Sequence, residues 1–346
     1  MSTKINGDLN MAEEKSISDI VALASAFYDS AVLFSALDNK IFEKIEKAGG
    51  EATLKQLAEA TQNSERGLRL LLDGCVAIGI LKKAGESYSN TQAGKLALVQ
   101  GAPADLTRAI CYNRDVYGAW GKLSQLVKTG EAVEPPSLHM GDDYERTRRF
   151  ALSMRGRAMA IGRGAVPLID LKGCKKLLDL AGGPAAYAEL LVRANPELSC
   201  VSVDVPAISA VAKELVAENG LADRIECRPG DYHTDEYEEG AYDAVTIFGA
   251  LHQESPEDIV DILKRARKAL CKGGKIFIMD MMTDATHTAP TFSALFAVNM
   301  ALTTTNGWVF SDAEIKGWLE DAGFEPDETQ TVPPPMPHWI VSGIAK

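Results

Sequence analysis

The sequence predicts an α/β protein in which a doubly wound, mostly parallel seven-stranded sheet follows an N-terminal α-helical winged-helix domain. Three observations predict it. From Lys175 onward, apolar runs of strand length alternate with amphipathic helical segments, the pattern of a parallel sheet covered by helices. The final stretch holds two more strand-like runs, Glu328 to Val332 and Trp339 to Ala345, joined through Pro333-Pro-Pro-Met-Pro. Ahead of residue 110 that alternation is missing, and two capped helices precede a pair of short alternating strands.

Ile17 to Ala48 carries apolar residues at helical spacing with few charges on any face, so these helices call for burial on several sides. Helices then open at Thr53 and Ser64, each with a hydroxyl residue able to cap it, and Ile80 to Thr91 reads as two strands around a Gly-containing turn. The second helix would offer Arg66 and Arg69 to a DNA groove, but its face is largely apolar and packing against another subunit suits it better. Residues 104–164 read as helical with a break at Glu134-Pro-Pro, and Arg146, Arg148, Arg149, Arg155, Arg157 and Arg163 fall there, either on a solvated face or around an anionic group. Five sheet strands are expected at Lys175 to Leu180, Ser199 to Val205, Ile225 to Arg228, Tyr242 to Phe248 and Lys275 to Met281, with the last two runs forming a hairpin at the sheet edge.

The composition is that of a globular enzyme: 46% of the 346 residues are hydrophobic and 24% charged, which excludes fibrous and disordered chains. Thirty-six basic against 48 acidic side chains leave a formal charge of −12, which repels nucleic acid over most of the surface. Six scattered cysteines with no CxxC pair read as reduced, mostly buried thiols, and no metal site is expected. The polar opening residues do not read as a leader, and no uninterrupted apolar run of about 18 residues is seen. A cytoplasmic protein without membrane contact is the expectation.

Leu177-Leu-Asp-Leu-Ala-Gly-Gly-Pro-Ala-Ala-Tyr is an apolar strand, a turn of small residues and a helix, the crossing at which open sheets bind nucleotides. Asp204 ends the next strand, where a carboxylate accepts ribose hydroxyls. The pair admits a dinucleotide or S-adenosylmethionine. Pro184 removes a backbone donor that a diphosphate would need, and the carboxylate of Asp179 suits a cationic amino-acid cofactor. Gly230-Asp231-Tyr232 then supplies an acid for an adenine amino group and an aromatic face for stacking.

Asp179 to Ala188, Asp204, Gly230-Asp231, Ala250-Leu-His-Gln, Gly273-Gly-Lys-Ile-Phe-Ile-Met-Asp and Ser311 to Phe324 stand in the order found in class I methyltransferases. With the winged helix, the chain from about residue 17 resembles S-adenosylmethionine-dependent small-molecule O-methyltransferases of the caffeate and hydroxyneurosporene type. The resemblance implies a Rossmann-like catalytic domain at 171–346, a helical linker covering the active site at 111–170 and a dimerisation domain at 1–110. It further implies a homodimer swapping N-terminal helices, with the cofactor held by Asp179, Gly182, Gly183, Asp204, Val205, Gly230, Asp231, Tyr232 and Phe248. The family's three-glycine turn has alanine here at Ala181 and Ala185.

Transfer to an oxygen needs the acceptor held near the methyl group and its proton removed. His252, at the carboxyl end of the fourth strand, matches the family's general base, and Asp280 matches one acid that orients it. Gln253 and Val309 depart from the family's acids. That keeps two alternatives open: a carboxylated thioether as acceptor, which needs no base, with the arginines and His338 holding the carboxylate; and relatives that keep the cofactor as a structural cation for hydroxylation. The winged helix separately leaves a third, a ligand-responsive regulator acting on DNA. For the small-molecule acceptor the resemblance implies Phe150, Met154 and Met300 in the pocket, with Arg155, Trp308 and His338 also assigned to it. Ser255-Pro-Glu-Asp and Ser311-Asp-Ala-Glu read as helix starts without chemistry.

Overall fold

A computed structural model describes residues 14–134, 144–334 and 337–346. The opening residues, the prolines after Glu134 and part of the Pro-rich link to the last strand lie outside the described residues. The chain forms two compact units, 13–115 and 116–346.

The first unit begins with three helices, α1 (Ile17–Ser25), α2 (Phe27–Asp38) and α3 (Ile41–Lys47). Ser16 caps α1 in a reciprocal box with Asp19, yet no residue of α1 is buried. Together α1 and α2 make an apolar span, Ile17–Asp38, with a mean hydropathy of 1.8, long enough to cross a bilayer. The sequence reading missed this span because Asp19 and Asp29 interrupt it. A single such helix near the N-terminus is weak evidence for a membrane span.

Next come β1 (Glu51–Thr53), α4 (Leu54–Thr61), α5 (Glu65–Ala77), β2 (Leu81–Ala84), β3 (Ser87–Asn90) and α6 (Gln92–Ala97). Thr53 caps α4 in a box with Gln56, and the Ser64 hydroxyl accepts the Gly67 N–H to start α5. The wing is three-stranded, β1-β3-β2, because the unread β1 adds to the expected hairpin. Its core joins Phe42, Leu57, Leu68, Leu72 and Tyr88. α7 (Thr107–Trp120) begins in this unit and continues past residue 115 into the second.

The second unit contains α8 (Leu123–Thr129), α9 (Tyr144–Ala165), β4 (Lys176–Leu180), α10 (Ala186–Ala194), β5 (Ser199–Asp204), α11 (Pro206–Glu218), β6 (Ile225–Pro229), β7 (Tyr242–Phe248), α12 (Pro256–Ala269), β8 (Leu270–Asp280), α13 (Thr291–Thr303), α14 (Asp312–Asp321), β9 (Phe324–Pro326), β10 (Gln330–Thr331) and β11 (Trp339–Ala345). The seven expected strands lie in the order β10-β11-β8-β7-β4-β5-β6, and the short β9 makes an eighth by pairing with β11. β8, β7, β4, β5 and β6 are parallel; β11 runs antiparallel to β8 with Trp339 opposite Asp280. After β6 the chain returns to the other side of β4, so the switch point lies between β4 and β7, where their carboxyl ends leave a crevice.

α12 shows how the covering helices are specified. Ser255 caps it, Pro256 fills the first turn, and Ile259, Ile262, Leu263, Ala266 and Ala269 make one buried stripe. Among the six free thiols only Cys75 and Cys200 are buried, fewer than expected, since the other four sit in half-exposed positions.

Candidate active site

The turn after β4 is built on left-handed backbone at Ala181 (φ 52), Gly183 (φ 57) and Ala185 (φ 57). Alanine pays a steric cost there, tolerated because the flanking strand and helix fix the chain. The two glycines serve different ends. A Cβ on Gly182 would fall 2.0 Å from Ser202 Oγ and 2.5 Å from Asp179 Oδ2, whereas one on Gly183 would meet nothing within 4 Å. Gly182 is needed for packing, and Gly183 faces open space. Its N–H donates to Asp204 Oδ2 at 2.7 Å, while the Val205 N–H donates to Oδ1 at 2.8 Å.

Asp179 lies beneath this turn, 1% exposed. Its register partners are Ser202 on β5 and Thr246 on β7, whose hydroxyls donate to it at 3.2 and 2.7 Å. Burial pushes Asp179 up to about 6, opposed by those two bonds, and burial likewise raises Asp204 to about 6. At the end of β6, Gly230 leaves no room for a side chain, since a Cβ would meet Asp235 Oδ2 at 2.2 Å. Asp231 and Tyr232 follow it.

His252 stands in a single 3-10 turn, Leu251–Gln253, after β7. Its Nδ1 lies 2.7 Å from Asp280 Oδ1, which also accepts the Met281 N–H at 2.8 Å. An ionised carboxylate only accepts, so the proton sits on Nδ1 and the Nε2 lone pair is left for another partner. The Phe296 ring meets the imidazole edge-on at 5.2 Å, and Met300 lies one turn further along the same face of α13. Trp308 donates its backbone N–H to the His252 carbonyl and its indole N–H to the Glu254 carbonyl, both at 2.9 Å. His338 precedes β11, 6% exposed, and its Nδ1 has no partner among the described residues; Asp280 Oδ2 is likewise unpartnered. Burial pushes His338 down to about 4, so it is neutral at pH 7.

Residues 134–325 match the O-methyltransferase domain and residues 21–100 the O-methyltransferase dimerisation domain. The chain belongs to the O-methyltransferase family. It is 28% identical over 326 residues, covering 93% of both chains, to a 3-hydroxy-5-methyl-1-naphthoate 3-O-methyltransferase of Streptomyces sahachiroi. It is 29% identical over 322 residues, 92% of this chain and 94% of the other, to the tetracenomycin polyketide synthesis 8-O-methyl transferase TcmO of Streptomyces glaucescens. In fold it is similar to human N-acetylserotonin methyltransferase in complex with SAM, with a TM-score of 0.84 at 22% identity over 97% of this chain and 99% of that one. This O-methyltransferase is therefore an S-adenosylmethionine-dependent enzyme acting on a small molecule.

The donor set fits that cofactor. Asp179, Asp204 and Asp231 surround the carboxyl ends of β4, β5 and β6, a set matched to a cation and a ribose and opposed to a diphosphate. Gly183 leaves the space a ligand would take. Phe248 ends β7 and meets Tyr187 edge-on at 5.2 Å, as part of the core under the crevice. Among the described residues no group of three or more His, Cys, Asp or Glu could hold a metal.

Around His252 the structure gathers Asp280, Phe296, Trp308 and His338, while Arg155 and Phe150 make other contacts. Arg155 makes a two-pronged ion pair with Glu189 of α10, 2.9 Å on each arm, and is not free to hold a carboxylate. Phe150 packs against the cluster of Ala151, Ile208, Val211 and Leu215 between α9 and α11. Met154 is half-buried on α9. Sequence reasoning missed Thr246 and Ser202, although each is a buried-strand hydroxyl flanked on both sides by apolar residues. It also missed Phe296, Glu254 and His233, which carry no motif.

Proposed function

We propose that this enzyme transfers a methyl group from S-adenosylmethionine to a hydroxyl oxygen of a small aromatic acceptor, with His252 as general base and Asp280 orienting it. The observation that carries this reading is the 2.7 Å contact between His252 Nδ1 and Asp280 Oδ1, which aims a basic nitrogen outward beside an aromatic wall. The bound cofactor supplies an electrophilic methyl group. Asp204 takes its ribose, Asp231 and Tyr232 its adenine end, and Asp179 fixes the turn from below through Ser202 and Thr246; Gly182, Gly183, Val205, Gly230 and Phe248 shape the cradle.

The acceptor lies against Phe296, Met300 and Trp308, with Met154 on the covering helix α9 of the 111–170 segment. His338, neutral and with an unpartnered Nδ1, offers one hydrogen bond to an acceptor oxygen. An aromatic hydroxyl suits these side chains, and the two relatives act by name on a naphthoate and a polyketide. A carboxylated thioether is disfavoured: Arg155 is spent on Glu189, and His338 carries no charge. The protein works as a cytoplasmic homodimer joined through its N-terminal domain, without nucleic acid or membrane.

The test is turnover with aromatic hydroxyl acceptors, followed by release of S-adenosylhomocysteine. His252→Ala should lower kcat by about 10² or more while leaving cofactor affinity intact. Equal rates for wild type and variant would remove His252 as the base.

A further inference from the structure

One buried acid joins the loop after β6 to the loop after β7. Glu254, two residues beyond His252, is 8% exposed; its Oε1 accepts the Tyr232 hydroxyl at 2.6 Å and its Oε2 meets His233 Nε2 at 2.8 Å. The other ring nitrogen of His233 reaches Asp231 Oδ1 at 2.8 Å, and the His233 backbone N–H donates to that same oxygen at 2.9 Å. The His233 and Tyr232 rings stack at 4.5 Å. On its far side, the Glu254 carbonyl accepts the Trp308 indole N–H, while the Trp308 backbone N–H holds the His252 carbonyl. An unbroken chain of bonds thus runs from Asp231 through His233, Glu254 and Trp308 to His252.

Both ring nitrogens of His233 face carboxylates. A neutral imidazole has one N–H and would turn a lone pair on one of the two acids, so only the imidazolium satisfies both. We propose that Glu254 and His233 are positioning residues: charged His233, held between Asp231 and Glu254, clasps the loop that receives the cofactor's adenine end to the loop that carries the base. This rests on Asp231 and Tyr232 receiving the cofactor, as proposed above.

The charged groups around His233 are Asp231 on its own loop, with Asp235 accepting the Asp231 N–H, and Glu254 from the loop after β7. Burial lowers the His233 imidazolium, but its bonds to Glu254 and Asp231 outweigh burial and hold it above the ordinary histidine value. Loss of that proton opens the clasp, so cofactor affinity should weaken as pH rises through it. The opposite sign applies to Asp179 and Asp204, which weaken binding only as pH falls.

The experiment is calorimetry of S-adenosylhomocysteine binding to the full chain from about pH 6.5 to about pH 8.5. Wild type should lose about fivefold or more in affinity across this range. His233→Gln should give a flat profile, and Glu254→Gln should move the midpoint to lower pH, because one of the two carboxylates is gone. A flat wild-type profile, or an unchanged limb in His233→Gln, overturns the clasp. No binding at any pH overturns the cofactor placement itself, a distinct result. Should the variants not fold, NMR titration of His233 in the wild-type protein decides: its midpoint must coincide with that of the affinity loss, and a mismatch overturns the proposal.

Discussion

His252 keeps its Nδ1 proton toward Asp280, so the chemistry expected at this residue depends on which nitrogen carries the hydrogen. Asp280→Asn keeps the shape but can present an amide N–H to Nδ1, which forces the proton onto Nε2 and removes the base. The expected result is a fall in kcat of about 10²–10⁴ with unchanged binding of S-adenosylhomocysteine, read by turnover and calorimetry on the same preparation. The neighbouring glycines separate packing from binding. Gly183→Ala puts a methyl into open space at a strain of roughly 1–2 kcal/mol, so it should fold and show a raised KM for the cofactor. Gly182→Ala drives a methyl into Ser202 and Asp179 and should lower the melting temperature instead. A third expectation concerns the buried acids. Asp179 and Asp204 titrate near 6 in the free protein, above their ordinary value, so the stability linked to their protonated form is present below about 4 and lost as pH rises through about 6. A cationic cofactor favours the charged form. The rise in melting temperature on adding S-adenosylmethionine should therefore be larger at pH 7 than at pH 5, and a thermal-shift series showing the reverse would refute the assignment.

Between neighbouring elements, the register of the parallel strands explains what the sequence could and could not tell. The sheet strands were legible within a few residues because each is a short apolar run between turn residues. β8 was read from Lys275 although it begins at Leu270, because Lys272-Gly-Gly looks like a turn and Gly273 does adopt a positive φ of 76°. β9 escaped notice since Phe-Glu-Pro has no pattern of its own and becomes a strand only by lying against β11. In the site, His252 was legible because it follows β7 at the carboxyl edge, where open sheets place chemistry, and Asp280, which ends β8, because it matches the family resemblance. The partners of Asp179 were not, because they need the register that aligns Asp179 with Ser202 and Thr246. Removing one tests its weight: Thr246→Val keeps the side-chain shape, leaves Asp179 Oδ1 without its donor, and should cost about 1–3 kcal/mol in denaturant unfolding. His233 and Glu254 stayed hidden for the same reason, since they meet only when two loops after adjacent crossings come together in space.

For the molecule as a whole, the open question is what covers α1. This helix has nine residues, a full capping box and no buried side chain, while isolated helices below about 12–15 residues are marginal in water. Ile17, Ile20, Val21 and Leu23 are all exposed, and Phe27 and Tyr28 at the start of α2 continue the apolar surface. Burying such side chains stabilises by about 1.5–3 kcal/mol each, enough for a few of them to hold a dimer together. The match to the dimerisation domain begins at residue 21, inside this same stretch. A second copy of the chain accounts for both the helix and its exposed face, and the same surface accounts for the membrane-like hydropathy of Ile17–Asp38. Sedimentation of the wild-type protein at micromolar concentration should therefore give a dimer. Ile20→Asp combined with Leu23→Asp places two like charges on the face to be buried and should yield a monomer with reduced helix content in circular dichroism. A wild-type monomer, or a doubly charged variant that still sediments as a dimer with its helicity intact, would show that α1 is stabilised by something other than a second copy of the chain.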